Sequence, residues 1–211
     1  IDHHSYRHDF GDITLANPRA SAVGEIIYRL LLYLGIKMDK KIAQNILTSI
    51  VVETNSFRLP NVGVQTFKIC AELLSTGVDF HLLSETVYWS QSKESIALKG
   101  ICLGRVKFLK KGKIVWSLAG KEDFRITGAG EEDADSVPND MLSIEGVEMA
   151  VFFRETRRGV LRVSLRSKGG VNVARFARRY KGGGHFDVAG CFIPYNEKSL
   201  AKFLKSAERV L

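Results

Sequence analysis

The sequence predicts an α/β protein in which a mostly helical first part precedes a part where strands and helices mix. Apolar residues recur with helical spacing up to about residue 103, and apolar runs typical of strands begin at residue 106. The charge changes as well: residues 1–90 carry 8 basic and 9 acidic groups, and residues 91–211 carry 23 and 14. We therefore expect two domains, residues 1–92 and 106–211, joined by a linker helix over 93–105.

Four helices are expected in the first part. The first has apolar residues at positions i, i+3, i+4, i+7 and i+8 from Val23, and Gly35 ends it. The second gives way to Glu53-Thr54-Asn55-Ser56-Phe57, where short polar side chains compete with the helical backbone for hydrogen bonds. Asp79 follows Gly77 and can cap the fourth helix. The predicted helices cover residues 20–34, 40–52, 64–75 and 80–89.

The second part has strand signals on either side of an acidic connector. Residues 106–118 form a hairpin pattern around Gly112. Val147 to Phe153 is almost continuously apolar, which is typical of a strand buried on both faces. Apolar and polar residues alternate in the next strand, Val160 to Ser167. Further elements are a helix over 92–103, a short helix capped by Asn172 and ended by Gly182, a strand over 191–193 and a closing helix over 197–211. Residues 128–135 read as a connector.

Composition narrows the class of function. Between Arg154 and Lys181 the chain has ten Lys or Arg and one acid, Glu155, which favours nucleic acid or phosphorylated small molecules as partners. The cysteines, Cys70, Cys102 and Cys191, form no CxxC pair, so we expect neither a disulfide framework nor a structural zinc site, and we expect a cytoplasmic protein. No apolar run is long enough to cross a membrane.

Asp2-His3-His4 offers metal or acid–base chemistry. A neutral imidazole binds Mn, Zn or Fe, an adjacent carboxylate can orient it, and a second imidazole can meet a phosphate or carry a proton. Glu53, at the end of a buried helix, is the other acid in a suggestive position. On local grounds alone a polar loop is the favoured explanation of Asp2-His3-His4, and an exposed helix-end carboxylate explains Glu53 as well as a functional role does.

Lys181 to Gly190 is the second candidate site. Gly182-Gly183-Gly184 precedes His185, and three successive glycines exceed what a helix cap needs, so the backbone amides are expected to approach a ligand. Arg166 can bind a phosphate through two hydrogen bonds, and Ser167 adds a donor beside it. The alternatives are a solvated arginine and a surface turn.

These motifs resemble those of the DHH/DHHA1 phosphoesterases, and most closely the bifunctional oligoribonucleases that degrade nanoRNA and 3′-phosphoadenosine 5′-phosphate (pAp). Ile1 to His4 is similar to the motif that names the family, and Thr54 to Arg58 to a following loop. Gly146 to Phe153, Val163 to Ser167 and Gly182 to Gly190 resemble the DHHA1 domain. The resemblance covers essentially all 211 residues.

The resemblance implies a parallel-sheet DHH domain, of which the mostly helical later part is here, and a smaller α/β DHHA1 domain with a mixed sheet. His3 and Glu53 would be ligands of a Mn²⁺ pair, His4 would contact the scissile phosphate, and Asp2 would support the site. Arg166, Ser167, Gly182, Gly183, Gly184 and His185 would hold substrate across a cleft.

The chain departs from the family pattern at two positions: Glu53 stands where Asp is usual, and Asn55 where Gly is common. The family's first aspartate motifs precede the Asp-His-His motif, so we expect a missing segment and an incomplete metal site. Strand edges exposed by such a gap would favour pairing with another chain, as in a homodimer.

The expected substrates are therefore short RNA and pAp. Two alternatives stay open: hydrolysis of cyclic di-AMP or linear dinucleotides, and a non-catalytic nucleic-acid-binding module, for which the basic second part would suffice.

Overall fold

The structure is a computed structural model that describes residues 1–4, 11–157 and 159–211. It divides into two compact units, Ile1–Ser90 and Gln91–Leu211. Among the described residues no helix is long and apolar enough to cross a membrane.

The first unit contains the four predicted helices, which are confirmed. Its core is formed by residues from all four, including Tyr28, Leu47, Leu73 and Leu83. Asp39 and Asp79 cap the second and fourth helices by accepting hydrogen bonds from Ile42 N (2.8 Å) and Leu82 N (3.0 Å). The helices are α1 (Val23–Tyr33), α2 (Lys40–Glu53), α3 (Val64–Leu74) and α4 (Phe80–Tyr88).

The second unit is built on one mixed six-stranded sheet in the order β1-β2-β3-β4-β6-β5. β2 and β3 run parallel and the other neighbours are antiparallel. The mixed α/β class expected for this part is confirmed. Its elements are α5 (Lys93–Gly104), β1 (Lys107–Leu109), β2 (Ile114–Ala119), α6 (Lys121–Thr127), α7 (Val137–Leu142), β3 (Met149–Arg157), β4 (Val160–Ser167), α8 (Val173–Arg178), β5 (Gly183–Gly184), β6 (Val188–Pro194) and α9 (Glu197–Ala207).

Helices cover parts of both faces of this sheet. α8 and α9 pack on one face, where Phe203 of α9 contacts both Phe153 of β3 and Phe176 of α8, in one core with the inward residues of β4. α5 and α7 pack on the other, around Phe152 and Ala150 of β3. β3 is therefore buried on both faces, as its continuous apolar run predicts.

α5 belongs to the second unit rather than standing between two domains. Its Leu98 and Cys102 are fully buried in the core that also contains Val115 of β2. The Ser117 hydroxyl donates to the Cys102 carbonyl oxygen (2.6 Å), so the helix is bound to the sheet by packing and by a buried hydrogen bond.

The acidic connector predicted over 128–135 is confirmed, but the two short helices on either side of it were not predicted. A 3₁₀ turn lies at Glu132–Ala134, and α6 and α7 flank it. The acids are used locally: Asp133 accepts from Gly130 N (2.7 Å) and Asp135 pairs with buried Arg154 (3.1 Å). Helices of six or seven residues span too few turns to show a periodic pattern.

The end of α8 also differs from expectation. The residue with left-handed backbone is Lys181 (φ 59°), and Gly182 N donates to Ala177 O (3.0 Å). Gly182 is needed for a different reason: a Cβ there would overlap the carbonyl oxygen of Gly190 and lie 2.9 Å from the Cα of Cys191. It allows the chain to pass directly against β6.

Candidate functional site

Asp2-His3-His4 is held extended beside a later segment of the first unit. Asp2 N donates to Leu15 O and Asn17 N donates to Asp2 O, both at 3.0 Å, in a parallel bridge between Asp2 and Ala16. Side chains of an extended chain alternate between two sides. This arrangement directs Asp2 and His4 to one side and His3 to the other.

His3 meets Glu53, which lies 50 positions later in the chain. The two atoms, His3 Nε2 and Glu53 Oε1, are 3.2 Å apart, and His3 Nδ1 is 3.3 Å from the carbonyl oxygen of Ala20. A carbonyl oxygen only accepts, so Nδ1 carries the proton in that contact. Nε2 is then the ring nitrogen that faces the carboxylate, and the His3 side chain is only 8% exposed.

Asp2 and His4 form a second acid–imidazole pair. One carboxylate oxygen, Asp2 Oδ1, accepts from the His4 backbone amide (3.0 Å) and from His4 Nδ1 (2.5 Å). These hydrogen bonds, the backbone one foremost, lower the pKa of Asp2 to about 2, so the carboxylate is ionised at neutral pH. The pair orients the His4 ring and leaves Nε2 as its other polar atom.

Glu53 is positioned by an unusual turn at the end of α2. Asn55, Ser56 and Phe57 all have left-handed backbone angles (φ 48°, 57° and 63°). Buried Thr54 supports the turn: its hydroxyl donates to Ile50 O (2.6 Å) and accepts from Phe57 N (3.0 Å). Sequence reasoning predicted only a helix end here, because serine and phenylalanine carry no signal for left-handed backbone.

A buried carboxylate that the sequence analysis missed lies beneath this region. Glu25, 4% exposed, accepts hydrogen bonds from the hydroxyls of Ser21 (2.5 Å) and Thr66 (2.6 Å). Ser21 directly follows Ala20, whose carbonyl oxygen faces His3. Glu25 therefore positions the segment that orients the histidine.

His3 and Glu53 together suit a metal such as manganese. An imidazole nitrogen and a carboxylate oxygen face each other at a distance that a cation can bridge. Among residues 1–4, 11–157 and 159–211, no three His, Cys, Asp or Glu side chains converge as a metal site. The described residues thus supply one pair of ligands, and a six-coordinate ion needs more.

In the second unit, Arg166 stands on β4 with its guanidinium partly fixed. Nε donates to the side-chain oxygen of Asn139 on α7 (2.9 Å), and Nη1 donates to Leu165 O (3.1 Å). Burial lowers the pKa of Arg166, which nearby Asp135 and Asp187 partly oppose. Arginine remains cationic in proteins, so the site keeps its positive charge.

Ser167 is engaged within the fold. The residue is buried, its hydroxyl donates to Val171 O (2.6 Å), and its amide donates to Asp187 O (2.9 Å). It closes the turn between β4 and α8.

The three successive glycines, Gly182 to Gly184, have different surroundings. Gly182 and Gly184 lie against β6, where a Cβ would collide with backbone, whereas Gly183 is exposed and has nothing within 4 Å of a Cβ position. His185 N donates to Val188 O (2.7 Å), and Val188 is the register partner of Arg166. Arg166, Gly183 and His185 therefore meet at one end of the sheet. Sequence reasoning assigned all three glycines to a ligand, because close packing on β6 was not visible to it.

Known proteins resemble this chain over most of its length. Residues 124–211 match the DHHA1 domain. A bifunctional oligoribonuclease and PAP phosphatase of Thermus thermophilus is 31% identical over 190 residues, 90% of this chain and 56% of that protein. The protein of the same name from Bacillus subtilis is 31% identical over 198 residues, 92% of this chain and 61% of that protein.

A solved structure agrees in fold. An exopolyphosphatase-related protein from Bacteroides fragilis superimposes with a TM-score of 0.89 at 29% identity, covering all of this chain and 62% of that one. The chain thus spans about three fifths of the length of the relatives that it matches. From these matches, the chain contains a DHHA1 domain over residues 124–211 and is similar over most of its length to bifunctional oligoribonucleases and PAP phosphatases.

Proposed function

We propose that the protein containing this chain is a Mn²⁺-dependent phosphoesterase that removes nucleotides from very short RNAs and dephosphorylates pAp. The observation that carries the proposal is the 3.2 Å contact between His3 and Glu53, with the Asp2–His4 pair beside it. An imidazole and a carboxylate that can hold a metal, next to an oriented second histidine, are groups that metal-assisted phosphoester hydrolysis can use.

The residues of the first unit take separate roles in this proposal. His3 Nε2 and Glu53 Oε1 would hold manganese, which supplies Lewis acidity toward the phosphoryl group and activates water. His4, oriented by ionised Asp2, would donate a hydrogen bond or a proton to an oxygen of the scissile phosphate through Nε2. Asp2 keeps the ring in that orientation.

The residues of the second unit would hold the substrate. Arg166 presents a cation, and Gly183 and His185 lie at the same end of the sheet. Gly182 and Gly184 are assigned to the fold of this pocket because they pack on β6, and Ser167 to the turn beside it.

Two relatives named bifunctional oligoribonuclease and PAP phosphatase favour short RNA and pAp as substrates. Cyclic di-AMP is the second candidate. A cyclic-di-AMP phosphodiesterase of Geobacillus thermodenitrificans is 28% identical over 201 residues, but these make up only 28% of its length. A non-catalytic RNA-binding module would need only the basic second unit, and it would not account for the His3–Glu53 contact.

The proposal also assigns the protein to the cytoplasm, where its three unpaired buried cysteines would stay reduced.

Turnover by the full-length gene product tests the catalytic assignment. It is measured with Mn²⁺ on three substrates: a 5′-phosphorylated diribonucleotide, pAp and cyclic di-AMP. His4→Ala is expected to lower kcat by at least about a hundredfold, the usual scale of acid–base loss. His81→Ala, which alters an exposed histidine on α4, is the matched control and should leave turnover unchanged. Turnover by His4→Ala at the wild-type rate would refute the role of the motif.

Metal binding and substrate binding are tested apart from turnover. Calorimetric titration with Mn²⁺ should show weaker binding for Glu53→Gln than for wild type and unchanged binding for Glu85→Gln on α4. Arg166→Ala and His185→Ala should mainly raise KM. Unchanged KM in both variants would remove the substrate pocket from the proposal.

A further inference from the structure

One area of the second unit carries charge and aromatic surface that the proposed site does not use. Arg162 on β4 and Phe192 on β6 are direct cross-strand partners, so their side chains share one face of the sheet. Both are exposed, Phe192 by 61%. No hydrogen bond or ion pair joins the Arg162 side chain to any residue that the structure describes.

The same row of the sheet continues to a buried cation. Arg154 on β3 is the register partner of Arg162, and it is 3% exposed. Its Nη1 donates to the carbonyl oxygen of Glu131 and pairs with Asp135 Oδ1 (3.1 Å). Within the described part of the chain its Nε has no partner.

Two guanidinium groups directly opposite each other in a sheet repel. Asp135 is the carboxylate paired with Arg154, and the charges of Asp135 and Arg162 also act on Arg166, four residues along β4. The three arginines therefore outnumber the two acids, Asp135 and Asp187, that act on them. An anion near Arg162 would relieve this repulsion, and a phosphate matches the geometry of guanidinium donors.

Between Arg162 and Arg166 the surface is partly exposed and carries small residues. Ser164 lies between them on the same face, its partner on β6 is Gly190, and Gly190 in turn pairs with Gly183. These small residues connect the end of the sheet where Arg166 and His185 lie with Arg162 and Phe192. A strand of nucleic acid can follow such a path, with phosphates on arginine and a base stacked on an aromatic ring.

We propose that Arg162 and Phe192 form a second nucleotide subsite, in which Arg162 binds a backbone phosphate of a short RNA and Phe192 stacks on the adjacent base. The occupant is the next nucleotide of the strand whose end the Arg166 pocket holds. This inference rests on the proposed function for the identity of the ligand, and such a subsite would let the protein bind short oligonucleotides more tightly than mononucleotides.

The test measures binding without turnover. Calorimetry in EDTA compares AMP with a triribonucleotide for the full-length protein and its Arg162→Ala and Phe192→Ala variants. Each variant should bind the trinucleotide about tenfold more weakly and AMP as wild type does. Arg162→Ala should also reduce the slope of log Kd against log salt concentration by about 0.7, the value for one phosphate contact on a single strand. Phe192→Trp should restore binding, because it restores the stacking surface.

Matched controls on the same unit are Arg175→Ala on α8 and Phe108→Ala on β1, both exposed. Equal losses in the controls, wild-type trinucleotide affinity in both test variants, or a parallel loss for AMP would overturn the subsite. So would a change of oligomeric state in Phe192→Ala without RNA, which would make the face a protein interface.

The outcome is separable from the proposed function. If wild type binds the trinucleotide through Arg162 but does not hydrolyse RNA with Mn²⁺, only the catalytic proposal fails. If it hydrolyses RNA and the two variants bind normally, only the subsite fails. Absence of any RNA binding by wild type contradicts the subsite directly.

Discussion

At the scale of single residues, the site depends on Glu53 reaching His3 across 50 positions of sequence. The family pattern has aspartate there, and the extra methylene of glutamate moves the carboxylate outward. The left-handed turn at residues 55–57 follows Glu53, which is the last residue of α2. The helix end and the longer side chain together determine where the Glu53 carboxylate lies, and the proposed metal site would tolerate only small errors in that position.

Asn55 lies in this turn with φ 48°, which predicts an asymmetric response to substitution. Asn55→Gly should leave the free energy of unfolding unchanged within about 1 kcal/mol, because glycine adopts this backbone freely. Asn55→Val should lower it by about 1–2 kcal/mol, since a β-branched residue resists left-handed angles. Urea unfolding measures both.

The control is Asn45→Val in the exposed part of α2, where asparagine and valine have similar helix propensity. Equal effects of valine at positions 45 and 55 would show that the left-handed backbone at Asn55 is not responsible.

At the scale of elements, the two-residue strand β5 depends on glycine for packing more than for ligand contact. Gly182 and Gly184 lie against β6 backbone, and Gly183 between them faces open space. A motif that looks uniform in the sequence thus combines two functions. The packing glycines hold β5 against the sheet, and this places Gly183 and His185 beside Arg166.

This division predicts opposite results for neighbouring alanine substitutions. Gly182→Ala should lower the free energy of unfolding by at least about 2 kcal/mol, because its Cβ overlaps Gly190 and Cys191. Gly183→Ala should leave stability unchanged and instead weaken nucleotide binding. Thermal unfolding and calorimetric titration read out the two effects. Wild-type stability of Gly182→Ala would show that β5 does not pack as described.

At the scale of the whole molecule, charge follows the division into units. Residues 1–90 are nearly neutral, and residues 91–211 contain the excess of cations. Both proposed nucleotide subsites lie in the basic unit, whereas the proposed metal ligands, His3 and Glu53, lie in the neutral one. Attraction of a polyanion and hydrolytic chemistry are therefore assigned to different parts of the chain.

The three cysteines predict how stability depends on pH. Burial raises the pKa of Cys70 and Cys102 to about 11 and that of Cys191 to about 12, from 9.0. The unfolded chain therefore loses these thiol protons first as pH rises. Below pH 9 the buried thiols leave the free energy of unfolding unchanged. Near pH 10 each thiol lowers it by about 1 kcal/mol, and this loss grows until the pH passes the pKa of that thiol in the folded protein.

Site-resolved alkylation checks this prediction. At pH 8 the three thiols should react slowly in the native protein and rapidly in urea, and the free energy of unfolding should fall between pH 9 and 11. Rapid native alkylation of any of the three would contradict its burial.

Sequence alone determined the local structure and the chemical identity of the motifs. Helical periodicity located α1 to α5, alternation and continuous apolar runs located β3 and β4, and the Asp-His-His and glycine motifs marked the residues of both candidate sites. These signals succeed because they depend on neighbours within a few turns of chain. The short helices α6 and α7 lacked enough turns to produce such a signal.

Only the tertiary structure decided which distant residues meet. Packing of the first unit brought Glu53 to His3 and set Glu25 beneath it, and the register of β3, β4 and β6 aligned Arg154, Arg162 and Phe192 in one row. Strand order and register depend on long-range packing, which leaves no periodic trace in the sequence. The physical reason is that the functional group of a side chain is fixed by the residue type, whereas the residues that surround it in space depend on how the whole chain packs.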